Sequence, residues 1–221
     1  MDSDAATATI EGDDLVVGYL GYGSLVNRAT LRTDFVGLIP CRIAGYRRGW
    51  RHRISRRTGH TQTVLTAIPD AGAVIDGVIV VDRLANLPLV DARERGYDRL
   101  TVAPESVTRL AGGFGEGGEL FIYVSATPHH APPGEDHPVP LSYVDAVVAG
   151  YLELFGEEGV RRFVETTDAW DVPLLDDRAA PTYPRSIPRE EALERLVDTE
   201  IARLGFRPAL RLTEAGLDRL S

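Results

Sequence analysis

From Leu15 to Tyr22 apolar positions follow one another with little polar interruption, the pattern of a strand covered on both faces. The run ends in Gly21-Tyr22-Gly23-Ser24, and Asn27 to Arg32 reads as a helical turn beyond it. "FVGLIPCRIAGYRRGW" predicts a strand, a kink at Pro40 and a strand again. "TQTVLTAI" and "AVIDGVIVVD" are β-rich runs joined by Pro69-Asp70-Ala71-Gly72, turn chemistry that predicts a hairpin. A short helix follows, with Asn86 as its cap, Pro88 in its first turn and Gly96 where a helix stops. "YDRLTVAPESVTRL" and "ELFIYVSA" are the next strands, separated by the glycine-rich "AGGFGEGGE".

A helical period then takes over. Val144, Val147, Val148, Tyr151 and Leu152 share the apolar side of a helix from Ser142 to Phe155. Another short helix, an irregular stretch from Thr167 to Ser186 and a last helix near Pro188 to Leu204 complete the chain. Strands first and helices later predict an α+β fold, and so many consecutive antiparallel strands need covered edges or a curl into a small barrel. Residues 15–221 carry neither a repeat nor an interdomain linker and read as one domain, with 167–221 a helical C-terminal extension packed on it. Residues 1–14, polar and aperiodic, read as a disordered acidic tail.

Composition narrows the chemistry. With 43% hydrophobic and 26% charged residues among 221, the chain has the proportions of a soluble globular protein with one sizeable core. Its formal charge of -9 disfavours a nucleic-acid partner, and no apolar run reaches bilayer length, so no membrane partner is expected either. All 24 basic residues are arginine, which removes Schiff-base chemistry, a P-loop lysine and a Ser-Lys dyad. The single cysteine, Cys41, can form neither an internal disulfide nor a cysteine-rich zinc site. Together with an N-terminus unlike a signal peptide, this points to a reducing, cytoplasmic location.

Two familiar motifs fail on inspection. Gly21-x-Gly23 lacks the third glycine of a dinucleotide fingerprint, since Val26 stands there, and Ser24 lacks the flanking glycines of a hydrolase elbow. What remains is a strand exit with bare backbone N–H groups and a hydroxyl, suited to a carboxylate or an oxyanion. In "LPLVDARERGYDRLTV", Asp91 and Arg95 are spaced for a helical ion pair. Glu94 beside them reads either as part of a solvated charged face or as a general base at a pocket mouth. Arg47, Arg48, Arg51, Arg53, Arg56 and Arg57 read as the solvated tip of an arginine-rich hairpin. His129, His130 and His137 have no acidic or cysteine partners at ligand spacing, so no metal is expected.

Further segments act together. "GYLGYGSLVN", "RIAGYRRGW", "VIDGVIVVD" leading into "DARERGYDRLTV", "ELFIYVS" and "PLSYVDAVVAGYLELFG" stand in the order and rough spacing of the γ-glutamylcyclotransferase-like family, which the chain resembles over roughly residues 15–160. The resemblance implies a small mixed β-barrel with flanking helices, a Tyr-Gly-Ser loop that holds a γ-glutamyl group, and one acid-base glutamate. It makes Tyr22, Gly23, Ser24 and Leu25 the substrate-binding loop, places Tyr143 of "PLSY" near the pocket, and makes Glu94 the catalyst. The implied reaction needs no cofactor: a small γ-glutamyl compound releases 5-oxoproline and a free amine or amino acid. Two other readings stand beside it, a non-catalytic domain that binds a small ligand or a partner protein, and an amidohydrolase releasing glutamate.

Overall fold

Two long, bent strands organise the molecule. The computed structural model describes residues 15–55, 61–112, 119–205 and 211–212; the acidic tail, Arg56, Arg57 and the glycine-rich residues 113–118 lie outside the described residues. In chain order the elements are β1 (Val16–Gly21), β2 (Gly37–Ser55), β3 (Thr61–Arg83), α1 (Leu87–Arg93), β4 (Tyr97–Val102), β5 (Val107–Arg109) and β6 (Leu120–Ser125). There follow β7 (Val139–Pro140), α2 (Leu141–Glu165), β8 (Thr167–Asp168), β9 (Leu174–Leu175), α3 (Glu191–Arg203) and β10 (Arg211–Leu212). The main sheet runs β4-β6-β1-β3-β2-β5, with β8 added to β2, and curls into a half-barrel; β10-β9-β7 form a small second sheet. It is mixed, because β1 pairs antiparallel with β3 and parallel with β6. The α+β class and the curled mixed sheet are as the sequence pattern and the resemblance imply.

Several local expectations give way. The turn expected at Pro69–Gly72 is a bulge, since β3 pairs with β2 from Val81 opposite Gly37 to Thr61 opposite Ser55. Between the pairs Ala44–Val74 and Tyr46–Pro69, Gly45 alone faces residues 70–73, and it takes φ +85°, open to glycine and strained for other residues. The bend of β2 therefore sits at Gly45. Pro40 does not interrupt the strand: it stays opposite Val78, and its carbonyl accepts from Leu110 N–H at 2.8 Å. The run read as one strand from Tyr97 to Leu110 is divided, and β4 and β5 stand at opposite ends of the sheet. Asn86 does not cap α1 through its side chain; its amide donates instead to Asp34 (2.8 Å) and Asp82 (2.7 Å).

Helix α2 is interrupted at Gly156 (φ +65°, ψ -172°), as the two-helix reading requires. Its first turns are buried on every side: Val144, Val147, Val148 and Tyr151 are covered, and so are Ser142 and Asp145. The outer cover is polar and paired. Arg178 forms two bonds to Asp145 (2.7 and 2.8 Å) and one to Asp198 of α3 (3.1 Å). Such bidentate geometry meets the requirement that buried charges be matched.

The arginine-rich hairpin is not simply a solvated tip. Arg48 is fully buried, donating to Thr167 Oγ1 (3.2 Å), the Asp76 carbonyl (2.8 Å), the Tyr151 hydroxyl (2.6 Å) and Thr166 Oγ1, with its guanidinium 4.9 Å from the Phe163 ring centroid. All three guanidinium nitrogens find an acceptor, so Arg48 staples β2 to the end of α2. Arg47 pairs with Asp168 and Asp70. Cys41 is buried, free and pushed up to about 12 by burial, which makes it an inert core side chain.

Candidate active site

The loop after β1 is fastened from below and from the side. Val26 N–H bonds the Gly23 carbonyl at 3.0 Å to close a 3₁₀ turn over Ser24–Val26. Asn27 donates to the Ala146 carbonyl of α2 at 2.6 Å and accepts from Ala29 N–H at 2.8 Å. Tyr151 donates to the Tyr22 carbonyl at 3.0 Å. Tyr22 itself donates to the Tyr123 carbonyl on β6. A β-carbon at Gly23 would stand 2.9 Å from the Tyr143 hydroxyl, too close for both to keep their places, and 3.6 Å from Leu65. A residue larger than glycine at this position therefore requires the Tyr143 phenol to shift, and the first N–H groups of the 3₁₀ turn are left without partners within the turn.

Helix α1 delivers Glu94. Leu87 and Val90 are buried and anchor the helix, whose last N–H bond, from Glu94 to the Val90 carbonyl, is 2.9 Å. Glu94 Oε1 lies 2.8 Å from Nε of Arg93, and the two side chains are only 14% and 10% exposed. The same guanidinium donates to the Thr30 carbonyl (2.8 Å) and reaches Ser24 Oγ (3.4 Å). One arginine thus ties Glu94 to the glycine-serine loop. Burial raises the Glu94 carboxyl above the ordinary glutamate range, although Arg93 and Arg185 pull the other way. The Asp91–Arg95 pair expected along the helix is absent; Asp91 pairs with Arg99 (2.9 Å) and accepts from Tyr123 (2.7 Å).

These pieces face one cavity of about 510 Å³, and Tyr22, Gly23, Ser24, Leu25, Glu94 and Tyr143 all line it. His52, Arg93, Tyr97, Tyr183 and Arg185, which the sequence does not single out, line it as well. Its phenols are held protonated by burial: Tyr22, Tyr97 and Tyr143 are all pushed upward. His52 stacks on Tyr97 with centroids 3.7 Å apart, sits 2.9 Å from Ser125 Oγ, and is pushed down to about 3 by burial and by His129 and His130. His129 also lines the cavity. No group of three or more His, Cys, Asp or Glu side chains suited to a metal occurs among the described residues.

Tyr183 and Arg185 reach the cavity from the irregular stretch before α3, which Asp177 clasps to the start of α2. Asp177 accepts from Ser142 N–H (2.8 Å) and Ser142 Oγ (2.6 Å) at the start of α2, and from Thr182 N–H (2.8 Å) and Thr182 Oγ1 (2.7 Å). That bond set sets Tyr183 edge-on to Tyr143, with ring centroids 4.9 Å apart. No local motif marks Tyr183 or Arg185 in the sequence, since their place depends on a carboxylate several residues upstream. His52, by contrast, lies on a strand next to Arg51 and Arg53, where charge masks it.

A half-barrel whose mouth holds one buried carboxyl, a tethered 3₁₀ loop and a ring of phenols defines an α+β protein with a polar cavity at the open end of its sheet. The fold is that of the γ-glutamyl cyclotransferases: a structure of a gamma-glutamyl cyclotransferase matches over 84% of this chain and 99% of that one, with a TM-score of 0.51 and 17% identity. An uncharacterised human protein is also similar (TM-score 0.48, 17% identity, 83% and 98% covered), as is a yeast gamma-glutamyl cyclotransferase specific to glutathione (TM-score 0.46, 14% identity, 86% and 97% covered). No protein-family model and no curated protein matches the sequence.

Proposed function

We propose that the chain is a γ-glutamylcyclotransferase that releases 5-oxoproline and a free amine or amino acid from a small γ-glutamyl compound. The observation that carries the reading is the tie between Glu94 and the Gly23–Leu25 loop through Arg93, around a cavity of about 510 Å³. In the reaction the α-amine nitrogen of the γ-glutamyl group attacks its own γ-carbonyl carbon. A carbon–nitrogen bond forms, the oxygen carries negative charge, and the bond to the leaving nitrogen breaks. Substrate and products balance atom for atom, so the chemistry calls for no water and no coenzyme.

Because attacking and attacked atoms are already joined, holding the folded-back conformer supplies much of the rate, on the order of several kcal/mol. Glu94 takes the proton from the α-ammonium, which cannot attack while protonated, and returns one to the departing nitrogen. Its upward displacement by burial suits both halves of that task. The N–H groups at the start of the 3₁₀ turn hold the substrate carboxylate or the developing oxyanion, and the Tyr143 phenol, kept protonated, borders the same space. A reducing, cytoplasmic setting agrees with the buried free Cys41.

The test is product analysis by mass spectrometry over a panel of γ-glutamyl amino acids and amines. 5-Oxoproline is expected. Free glutamate instead would make the chain an amidohydrolase, and no product from any member would leave a binding domain on this fold.

A further inference from the structure

The cavity is cationic on an acidic protein. Arg53, Arg93, Arg95 and Arg185 line it against the single carboxylate of Glu94, while the whole chain carries a net charge of -9. Two of the four are already engaged: Arg93 with Glu94, Thr30 and Ser24, and Arg53 with the Pro132 carbonyl at 2.7 Å. Arg185 is different. Half-buried at the wall, it feels Glu94 and Tyr183 and is repelled by Arg93, and no ion pair to a carboxylate holds it among the described residues. A half-buried guanidinium without a fixed anion is an expensive arrangement unless a ligand supplies the anion.

Arg185 also stands at a junction. A second cavity of about 360 Å³ shares Ala92, Arg93 and Arg185 with the first. Its other walls are Leu31, Leu89 and Val90, with the exposed Arg32 at its outer side, and the polar ends of Tyr19 and Thr33 are turned to Asp82 at 3.0 and 2.6 Å. Leu89 is 62% exposed, which leaves an apolar rim beside a cationic gate. The site therefore offers a base and bare N–H groups in one chamber, a cation at the boundary, and an apolar chamber beyond.

Resting on the ring-closing reading above, we propose that the second cavity is the subsite for the released portion of the substrate, which is an amino acid with an apolar side chain, and that Arg185 takes its carboxylate. Arg185 is then a specificity residue: it separates γ-glutamyl amino acids, which carry a second carboxylate at the leaving end, from γ-glutamyl amines, which do not. The bidentate fit of guanidinium to carboxylate supplies the discrimination. The apolar chamber ranks leaving amino acids by their side chains.

Three compounds test it: γ-glutamyl-leucine, γ-glutamyl-glycine, and γ-glutamyl-isoamylamide, which differs from the leucine compound only by its missing carboxylate. kcat/KM from 5-oxoproline release should favour leucine over isoamylamide by at least about tenfold, as one charge-assisted contact implies. Leucine should also exceed glycine. In Arg185→Gln the leucine-to-isoamylamide ratio should collapse toward about one, and Arg185→Lys should restore part of it. Equal use of leucine and isoamylamide by the unaltered chain overturns the proposal. So does an equal loss on both compounds in Arg185→Gln, which would put the arginine on the shared glutamyl portion. Equal use of leucine and glycine removes the second cavity from it. Calorimetry of the same compounds on the full chain separates this proposal from its parent: absence of 5-oxoproline with binding of γ-glutamyl-leucine that depends on Arg185 defeats the ring-closing reading alone. Binding indifferent to the carboxylate defeats the assignment of Arg185 whatever the products.

Discussion

The Tyr143 hydroxyl lies 2.9 Å from the point where a β-carbon on Gly23 would stand. Loop and helix were formed around each other, so Gly23→Ala should push the phenol aside and destabilise the chain by about 1–3 kcal/mol. Tyr143→Phe removes the obstructing oxygen. In a double-mutant cycle by urea denaturation the pair should couple by at least about 0.5 kcal/mol; strict additivity would show that the contact does not govern the loop.

Glu94→Gln keeps the shape of the side chain and removes its base. Turnover should fall by at least about a hundredfold with the circular-dichroism spectrum unchanged. Near-normal activity removes Glu94 from the chemistry.

The same substitution makes a stability prediction. A carboxyl raised on folding favours its neutral form in the native state, so its contribution is fully present below the unfolded value and is lost as pH rises through the raised folded value. At pH 8 the Gln variant should melt above the unaltered chain by at least about 2 °C, and the two should converge below the ordinary glutamate value of about 4.3. The acidic limb of kcat/KM should likewise be centred above that value. A limb at or below it contradicts the burial of Glu94.

His52 is displaced in the opposite sense, to about 3. A base lowered on folding contributes stability that is present above its unfolded value of about 6.5 and is lost as pH falls toward about 3. Its imidazole resonances should not titrate between about pH 5 and 8 in NMR. His52→Asn should flatten the acid-side loss of stability. A His52 midpoint near 6.5 would mean that it is open to solvent.

Asp177→Asn trades one acceptor oxygen for a donor facing the hydroxyls and N–H groups of Ser142 and Thr182. The expected loss is at least about 2 kcal/mol, with KM raised more than kcat is lowered, because Tyr183 and Arg185 lose their setting while Glu94 and its loop keep theirs. An unchanged KM in a destabilised variant would confine the clasp to folding.

Strongly patterned features of the fold were legible in the sequence. The continuous apolar run of β1, the valine-rich face of α2 and the stop of α1 beside Gly96 all have local causes, and the structure contains them. Less legible was anything decided by pairing. Pro69–Gly72 carries genuine turn chemistry, yet β2 keeps pairing past it and converts the turn into a bulge opposite Gly45. Arg48 looks like its neighbours in the sequence and is buried only because Tyr151, Thr166 and Thr167 arrive from more than a hundred residues away. The cavity follows the same rule. Residues 22–25, Glu94 and Tyr143 stand in recognisable segments, whereas Tyr183 and Arg185 are carried in by Asp177.

The cavity's makeup thus divides by origin. Tyr22 to Leu25, Glu94 and Tyr143 come from the ends of β1, α1 and α2, whereas Tyr183 and Arg185 come from an irregular stretch that Asp177 and Arg178 fasten to the helices. Residues 177–185 are stitched to α2 through Asp177 and Arg178 and to α3 through Arg178, and Tyr183 is wedged against Tyr143, so a change in this stretch is felt at the cavity wall and in both helices at once.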